Sequence, residues 1–383
     1  MKKLSLFFLV IFITLALFTT LKTDDPPLQS TLLAPTTGDI SGFTRAEAPT
    51  PLTFPTDQGP HPDYLTEWWY YTGNLDTPDR QHFGFQVTFF RRALVPANER
   101  TEERESIWAT DQVYLAHFAL TDANGDQFYN FERYSRGAAD LAGAQAIPYR
   151  VWLENWSVEE TGIDTFHLFA MQGDLQLDLT LTDVKGNILQ GDQGYSQKGP
   201  EPGNASYYIS QTRLEAVGNI ETERGQFDVS GLAWMDHEYS TSALSDGQIG
   251  WDWFSVQLSD QTELMFFQLR RDDGNIDPFS SGTVIYPDGA TRQLIKDDFT
   301  ITVQDTWRSP HSDAEYPSKW RVSIPSENLT LNIEPWLADQ ELQVSVVYWE
   351  GAVRITGTHS NQPITGNGYV EMTGYAEEFD GDF

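Results

Sequence analysis

From residue 67 onward, apolar and polar side chains alternate through short runs that turn residues separate. The clearest run is 174–183, where Leu175, Leu177, Leu179 and Leu181 mark one face of a half-buried strand. Residues 67–75 (EWWYYTGNL) and 82–92 (HFGFQVTFFRR) are aromatic runs joined by a polar turn, a hairpin pattern. Further strands are expected at 112–122, 127–134, 150–159, 166–171, 207–217 and 227–239. The pattern restarts at 251–258 and 263–271. It continues through 282–286, 291–295, 299–303, 320–324, 329–334, 344–348, 351–359 and 368–375. A helical period is missing throughout, and at most one short helix is expected, within 94–109 or 137–145. The class is all-β, as a sandwich or barrel.

The second half repeats the first. WWYYTGNL (68–75) aligns without gaps on WDWFSVQL (251–258), and each run leads into an aromatic strand ending in paired arginines, Arg91-Arg92 and Arg270-Arg271. The halves also close alike, on FDVSGLAWMDHEYS and PITGNGYVEMTGYAEEF. Two matches in the same order argue for two copies of one β-module. Closure into a barrel removes the open edges of such a module. The expected units are 61–243 and 244–376, each a barrel. Residues 23–60, rich in Pro and Thr, read as a linker or an arm over the fold, and 377–383 as an acidic tail.

Composition narrows the setting. The 383 residues carry a formal charge of −32 and 13% aromatics, with no Cys. So acidic a surface repels phosphate backbones, and nucleic acid is not an expected partner. The lack of Cys excludes disulfides, thiolate metal sites and a Cys nucleophile. Lys2 and Lys3 precede an apolar run over 4–21, so 1–22 reads as a signal peptide or a retained N-terminal anchor. Export to the periplasm or beyond is expected either way.

Candidate chemistry concentrates in 231–258, where Trp234, Trp251 and Trp253 stand among Asp236, His237, Glu238 and Asp252. Indoles flanking titratable groups are the composition of a pocket wall. On a strand, Asp236 and Glu238 face away from His237. The inward set is therefore Trp234, Asp236 and Glu238, or else Met235, His237 and Tyr239, unless a bulge brings them together. Asp252 has the opposite parity to Trp251 and Trp253, and either it or Asp236 could instead pair with an arginine such as Arg91 or Arg270. His117 sits in LAHFALT as a core histidine or a pocket residue. Trp68 and Trp69 point to opposite faces, one into a core, and Glu67 reads as an arginine partner. Tyr369 and Glu371 share a face and match Trp234 and Asp236 through the repeat. HExxH, GxSxG and nucleotide loops are all missing, so neither a metal nor a cofactor is expected.

The ordered motifs EWWYYTGNL, FGFQVTFFR, LAHFALTD, WMDHEYS, GWDWFSVQL, YWEGAVRITG and GNGYVEMTGY resemble those of the AttH-like family of secreted proteins. That family is related in fold to carotenoid 1,2-hydratases and to lipocalin-like hydratases and cyclases. The resemblance spans 61–375 and implies two tandem lipocalin-like antiparallel β-barrels. The hydratase motif Asp-His-Asn-Trp falls on Asp236-His237-Glu238-Tyr239, matching at its first two positions. The strand 263–268 lacks the Tyr and interior Asp that those hydratases carry. The resemblance favours an Asp236–His237 couple brought together by a bend near a barrel mouth.

The expectation is an exported protein that binds an apolar isoprenoid, polyene or lipid-like ligand in an aromatic pocket, with hydratase or isomerase chemistry. Asp236 and His237 would move protons, with Asp252 in support. Trp68, Trp69, His117, Trp234, Glu238, Tyr239, Trp251, Trp253 and Tyr369 would hold the ligand. The alternative is a non-catalytic periplasmic carrier or chaperone serving an ABC-type envelope transporter, and a glycan-binding module ranks third.

Overall fold

A computed structural model describes residues 40–100, 106–242 and 244–376. The apolar run at 4–21 and the tail at 377–383 lie outside the described residues. Within them the protein is antiparallel β throughout, in two sheets that follow the repeat.

The first sheet contains β1 (Thr66–Asp76), β2 (His82–Ala93), β3 (Gln112–Asp122), β4 (Gln127–Arg136), β5 (Ala142–Ala146), β6 (Tyr149–Leu153) and β7 (Trp156–Gly162). It continues with β8 (Thr165–Gln172), β9 (Leu175–Asp183), β10 (Asn187–Leu189), β11 (Tyr195–Gln197), β12 (Ala205–Thr222) and β13 (Gly225–Ser240). The second holds β14 (Gln248–Leu258), β15 (Glu263–Arg271), β16 (Ser281–Ile285), β17 (Thr291–Ile295) and β18 (Thr300–Arg308). Its remaining strands are β19 (Glu315–Ile324), β20 (Leu329–Pro335), β21 (Glu341–Gln343), β22 (Val347–His359) and β23 (Gln362–Met372).

In each sheet the last strand returns to pair with the first, β13 with β1 and β23 with β14. The first sheet curls into a nearly closed barrel. The second forms a half-barrel. Together they are the two tandem lipocalin-like units that the repeat implied. Alternation explains the layers: Leu175, Leu177, Leu179 and Leu181 all point into the first barrel, beside Trp69, Phe85 and Met235. Phe254, Trp320 and Trp349 fill the second sheet. A third apolar layer, with Tyr70, Trp234, Trp253 and Tyr369, lies between the sheets.

Two readings of the strands change. Residues 150–159 are not one strand but the hairpin β6–β7, turned at Glu154, whose φ of 56° is left-handed. Residues 344–359 hold one long strand, β22, running straight through Trp349 and Glu350 where a break was expected. In 94–109 a 3₁₀ turn at Ala97–Glu99 replaces the expected short helix, and 137–145 runs into β5. Residues 44–58 act as an arm: Tyr207 donates to the Ala48 carbonyl at 2.8 Å and the Trp69 indole to that of Gln58 at 3.2 Å.

The sheets are tied to each other by buried polar clamps. Asn74 of β1 donates to the Gly368 carbonyl of β23 at 2.9 Å, and Gln257 of β14 reaches the Thr212 and Ala233 carbonyls at 2.8 and 2.9 Å. Gly84 of β2 faces Ala352 so closely that a Cβ there would stand 2.3 Å from the alanine methyl. Glu263 of β15 is fully buried and binds Arg213 of β12 at 2.5 Å together with Lys185. Removing one member of such a cluster leaves buried charges unpaired, at a cost of about 3–5 kcal/mol. Glu263→Ala should therefore lower unfolding free energy by that amount in urea titrations. A change under about 1 kcal/mol would mean that the clamp does not hold the sheets.

Candidate active site between the sheets

The two sheets enclose a cavity of about 150 Å³. That volume suits a benzene-sized group. The first sheet contributes Trp68 and Tyr70 of β1, Tyr208 of β12, and Asp236 and Glu238 of β13. The second contributes Trp251 and Trp253 of β14, Phe267 of β15, Glu350 of β22 and Glu371 of β23. Lys198, from the loop before β12, completes the lining. Across the gap the Tyr70 and Trp253 rings meet edge to face, with centroids 5.2 Å apart.

The wall is built twice from the same register. Tyr70 stands opposite Asp236 in the β1–β13 pair, and Trp253 stands opposite Glu371 in the β14–β23 pair. Ser210 of β12 faces Asp236, as Glu350 of β22 faces Glu371. Tyr208 and Tyr348 precede those two residues by two positions each, so the copies correspond residue by residue.

The acids differ in their partners. Asp236 accepts hydrogen bonds from Trp234 Nε1 at 2.7 Å and from the Ser210 and Tyr208 hydroxyls, both at 2.5 Å. Tyr208 in turn accepts from Trp253 Nε1 at 2.9 Å, a chain that crosses between the sheets. Burial raises Asp236 to about 7 against those three donors, with Glu238 adding a repulsive charge. Glu371 accepts from Trp251 Nε1 at 2.6 Å and is likewise raised by burial to about 7. Glu350 has no exposure and no hydrogen bond on either oxygen. Burial, then the charge of Glu371, push it well above the carboxylate range. The Tyr70 and Tyr348 hydroxyls approach Glu350 and favour its ionised form, but neither reaches hydrogen-bonding geometry. Glu238 is paired with Lys198 at 3.0 Å and bonded by the Ser206 hydroxyl.

The residues singled out in the sequence divide between two compartments. Trp68, Glu238, Trp251, Trp253 and Asp236 line the cavity. Trp234 donates its indole N–H to Asp236, and Tyr369 is buried in the same intersheet layer; neither lines the cavity. His117 is also set back: its Nδ1 meets the Tyr348 hydroxyl at 2.7 Å and its Nε2 meets Glu132 at 3.2 Å. Trp69, His237 and Tyr239 lie on the other face of their strands, Trp69 in the core of the first barrel and Tyr239 in a cluster with Tyr207 and with Ala46 of the arm. There His237 stacks on Trp69 at 4.9 Å, and Tyr239 stacks on His61 at 3.6 Å. The expected Asp236–His237 couple therefore does not form. β13 keeps unbroken one-to-one pairing with β1 across 230–240, so no bend overrides the alternation. Asp252 is likewise no part of the cavity: it pairs with Arg270 at 3.1 Å and accepts from Tyr375 at 3.0 Å.

The AttH-like family model matches residues 45–375. The chain belongs to the AttH-like family. The crystal structure of a protein assigned to AttH from Nitrosomonas europaea superposes with a TM-score of 0.74 at 36% identity, covering 86% of this chain and 99% of that one. Kievitone hydratase from Nectria haematococca shares the fold at 13% identity, with a TM-score of 0.65 over 88% of this chain and 97% of that one. CghA, solved with Sch210972, follows at 13% identity and a TM-score of 0.50, over 83% and 89% of the two chains. No protein of curated function matches the sequence.

In this AttH-like chain one further cluster has metal-ligand types. His61, Glu67 and His237 bring their ligand atoms within 4.8 Å of one another inside the first barrel. Glu67 is already saturated: Arg91 Nε binds one oxygen at 2.8 Å, His237 Nε2 binds the other at 2.8 Å, and the His61 amide reaches both. Burial alone would raise Glu67, yet Arg91 and the two histidines hold it well below the carboxylate range. Burial keeps His237 neutral, lowering it despite Glu67. Arg91 holds one oxygen of Glu67 while both histidine rings meet the other, so the cluster is tied together as a charge network.

Sequence reasoning passed over Glu350, Tyr70, Tyr208 and Lys198. For the first three the repeat register was the available signal. Asp236 and Glu371 hold their proton more tightly folded than unfolded, so they favour the fold at low pH. That contribution is lost as pH rises from about 4 to about 7, by roughly 4 kcal/mol per group at full effect. Asp236→Asn should remove its share, so the variant should gain on the native protein in denaturant unfolding as pH rises through this window. A constant difference between the two proteins would contradict the protonated state.

Proposed function

We propose that the protein binds an apolar, unsaturated small molecule in the intersheet cavity and performs acid–base chemistry on it, of the hydration or isomerisation type. The observation that carries this reading is Asp236, a buried carboxyl poised at about 7 and aimed at an aromatic-lined space. A general acid works best with its pKa near the working pH. Asp236 would pass its proton to a double bond, and the ring faces of Trp68 and Trp253 would stabilise the cation that forms. Ionised Glu371, on the facing wall, would take a proton from the water that adds, and solvent exchange would restore both acids. The net change is addition of one water. The shared fold with a hydratase supports this chemistry.

A carrier without turnover is the second reading. The three donors on Asp236 favour its ionised form and occupy the oxygens that a general acid would use. The apolar N-terminal run supports export, and we place the carrier in the periplasm, serving an ABC-type transporter of the envelope.

Mass spectrometry of ligand extracted from the native protein would supply the test molecule. Asp236→Asn should then lower its conversion at least about a hundredfold while leaving uptake intact. His237→Gln, which alters the other face of β13, should cost stability and spare conversion. Full conversion by Asp236→Asn, or a native protein that returns the ligand unaltered, would remove the enzymatic reading.

A further inference from the structure

We propose that the ligand of the intersheet cavity carries a positively charged nitrogen, of the alkylammonium class. This rests on the cavity being the ligand site and adds the charge of what enters it.

Glu350 is the first support. It is fully buried, lines the cavity, and has no hydrogen bond on either oxygen. Among the described residues no Lys or Arg pairs with it. Interiors rarely leave a polar group unpartnered, and a carboxyl so placed is a candidate for a partner that arrives from outside. Glu371 faces it across the β22–β23 ladder. Of the carboxyls that face the cavity, Glu238 is matched by Lys198. Asp236, Glu350 and Glu371 have no cationic partner among the described residues.

Lys198 is the second support, because it already shows an alkylammonium in this setting. Its Nζ stands 3.0 Å from Glu238 Oε1, 4.3 Å from the Phe267 ring centroid and 5.2 Å from that of Tyr208. One carboxylate and two ring faces around an ammonium is the arrangement that recognises such groups. The opposite wall offers the same elements with the cation missing: Glu350 and Glu371 together with the rings of Trp251 and Trp253, faced by Tyr70 from the first sheet. Neutral hydrocarbon would be served by the rings alone. The unpaired carboxyls have no role in holding it.

Choline, its uncharged isostere neohexanol and the anion tert-butylacetate separate charge from shape. Binding can be followed through the fluorescence of the cavity tryptophans and by saturation-transfer NMR. Choline should bind about tenfold tighter than neohexanol or better, and tert-butylacetate weakest. Glu350→Gln removes no hydrogen bond and keeps the side-chain shape, so near-UV circular dichroism should match the native protein. In that variant choline and neohexanol should bind within about twofold of each other. Neohexanol binding as tightly as choline in the native protein, or a choline preference that survives E350Q, overturns the proposal and leaves the cavity a ligand site. Failure of all three probes to bind overturns both.

Discussion

Carboxyls set among aromatic rings fill the seam between the two sheets, and everything distinctive about this protein follows from what the strands place there. A carboxyl that meets bulk water ionises near pH 4. Among Tyr70, Trp253, Tyr369 and the rest of the intersheet layer, burial raises Asp236 and Glu371 to about 7 and pushes Glu350 well above the carboxylate range. Strict pairing of β13 with both neighbours over 236–240 keeps this wet-averse chemistry on one face. The other face of the same strand serves a separate purpose. His237 joins Glu67, Arg91 and His61 in a charge network that fastens the barrel interior.

Duplication accounts for the shape of the site and divergence accounts for its polarity. The two sheets face each other along the seam, β1 against β23 and β2 against β22, so each copy offers its wall to the other. Tyr70 beside Asp236 corresponds to Trp253 beside Glu371, and the two rings meet across the seam. The copies have since parted at the position that faces the acid. Ser210 gives Asp236 a donor, whereas Glu350 gives Glu371 a second acid. One wall is a hydrogen-bonded carboxyl with a tyrosine–indole chain behind it. The other is a pair of acids short of donors. A single cavity thereby holds one carboxyl well supplied with donors and a pair that is not.

The all-β class, most strands and the repeat were legible because alternation and turn residues report directly on which face is buried. The site was legible in part, and alternation also explains the shortfall. Period two states that Asp236 and His237 diverge, but not which face meets a cavity, since both faces of β13 are buried here. The family motif favoured joining them, and the ladder refuses. Glu350 was lost because Tyr348-Trp349-Glu350-Gly351 breaks the pattern of a half-exposed strand; β22 is buried on both faces there, and the rule does not apply. Asp252 shows the reverse case. Its arginine pairing was open from the sequence, and Arg270 decides it. His61 and Lys198 come from irregular segments whose placement depends on tertiary packing, and no periodicity announces them.

Infrared difference spectroscopy at neutral pH, on protein carrying isotope-labelled Asp and Glu carboxyls, reads the protonation that the account requires. Carbonyl bands of neutral carboxylic acids should be present in the resting protein, and one should vanish with each of Asp236→Asn, Glu350→Gln and Glu371→Gln. A spectrum holding carboxylate bands alone would show that the seam between the sheets is open to water, and the account would fail with it.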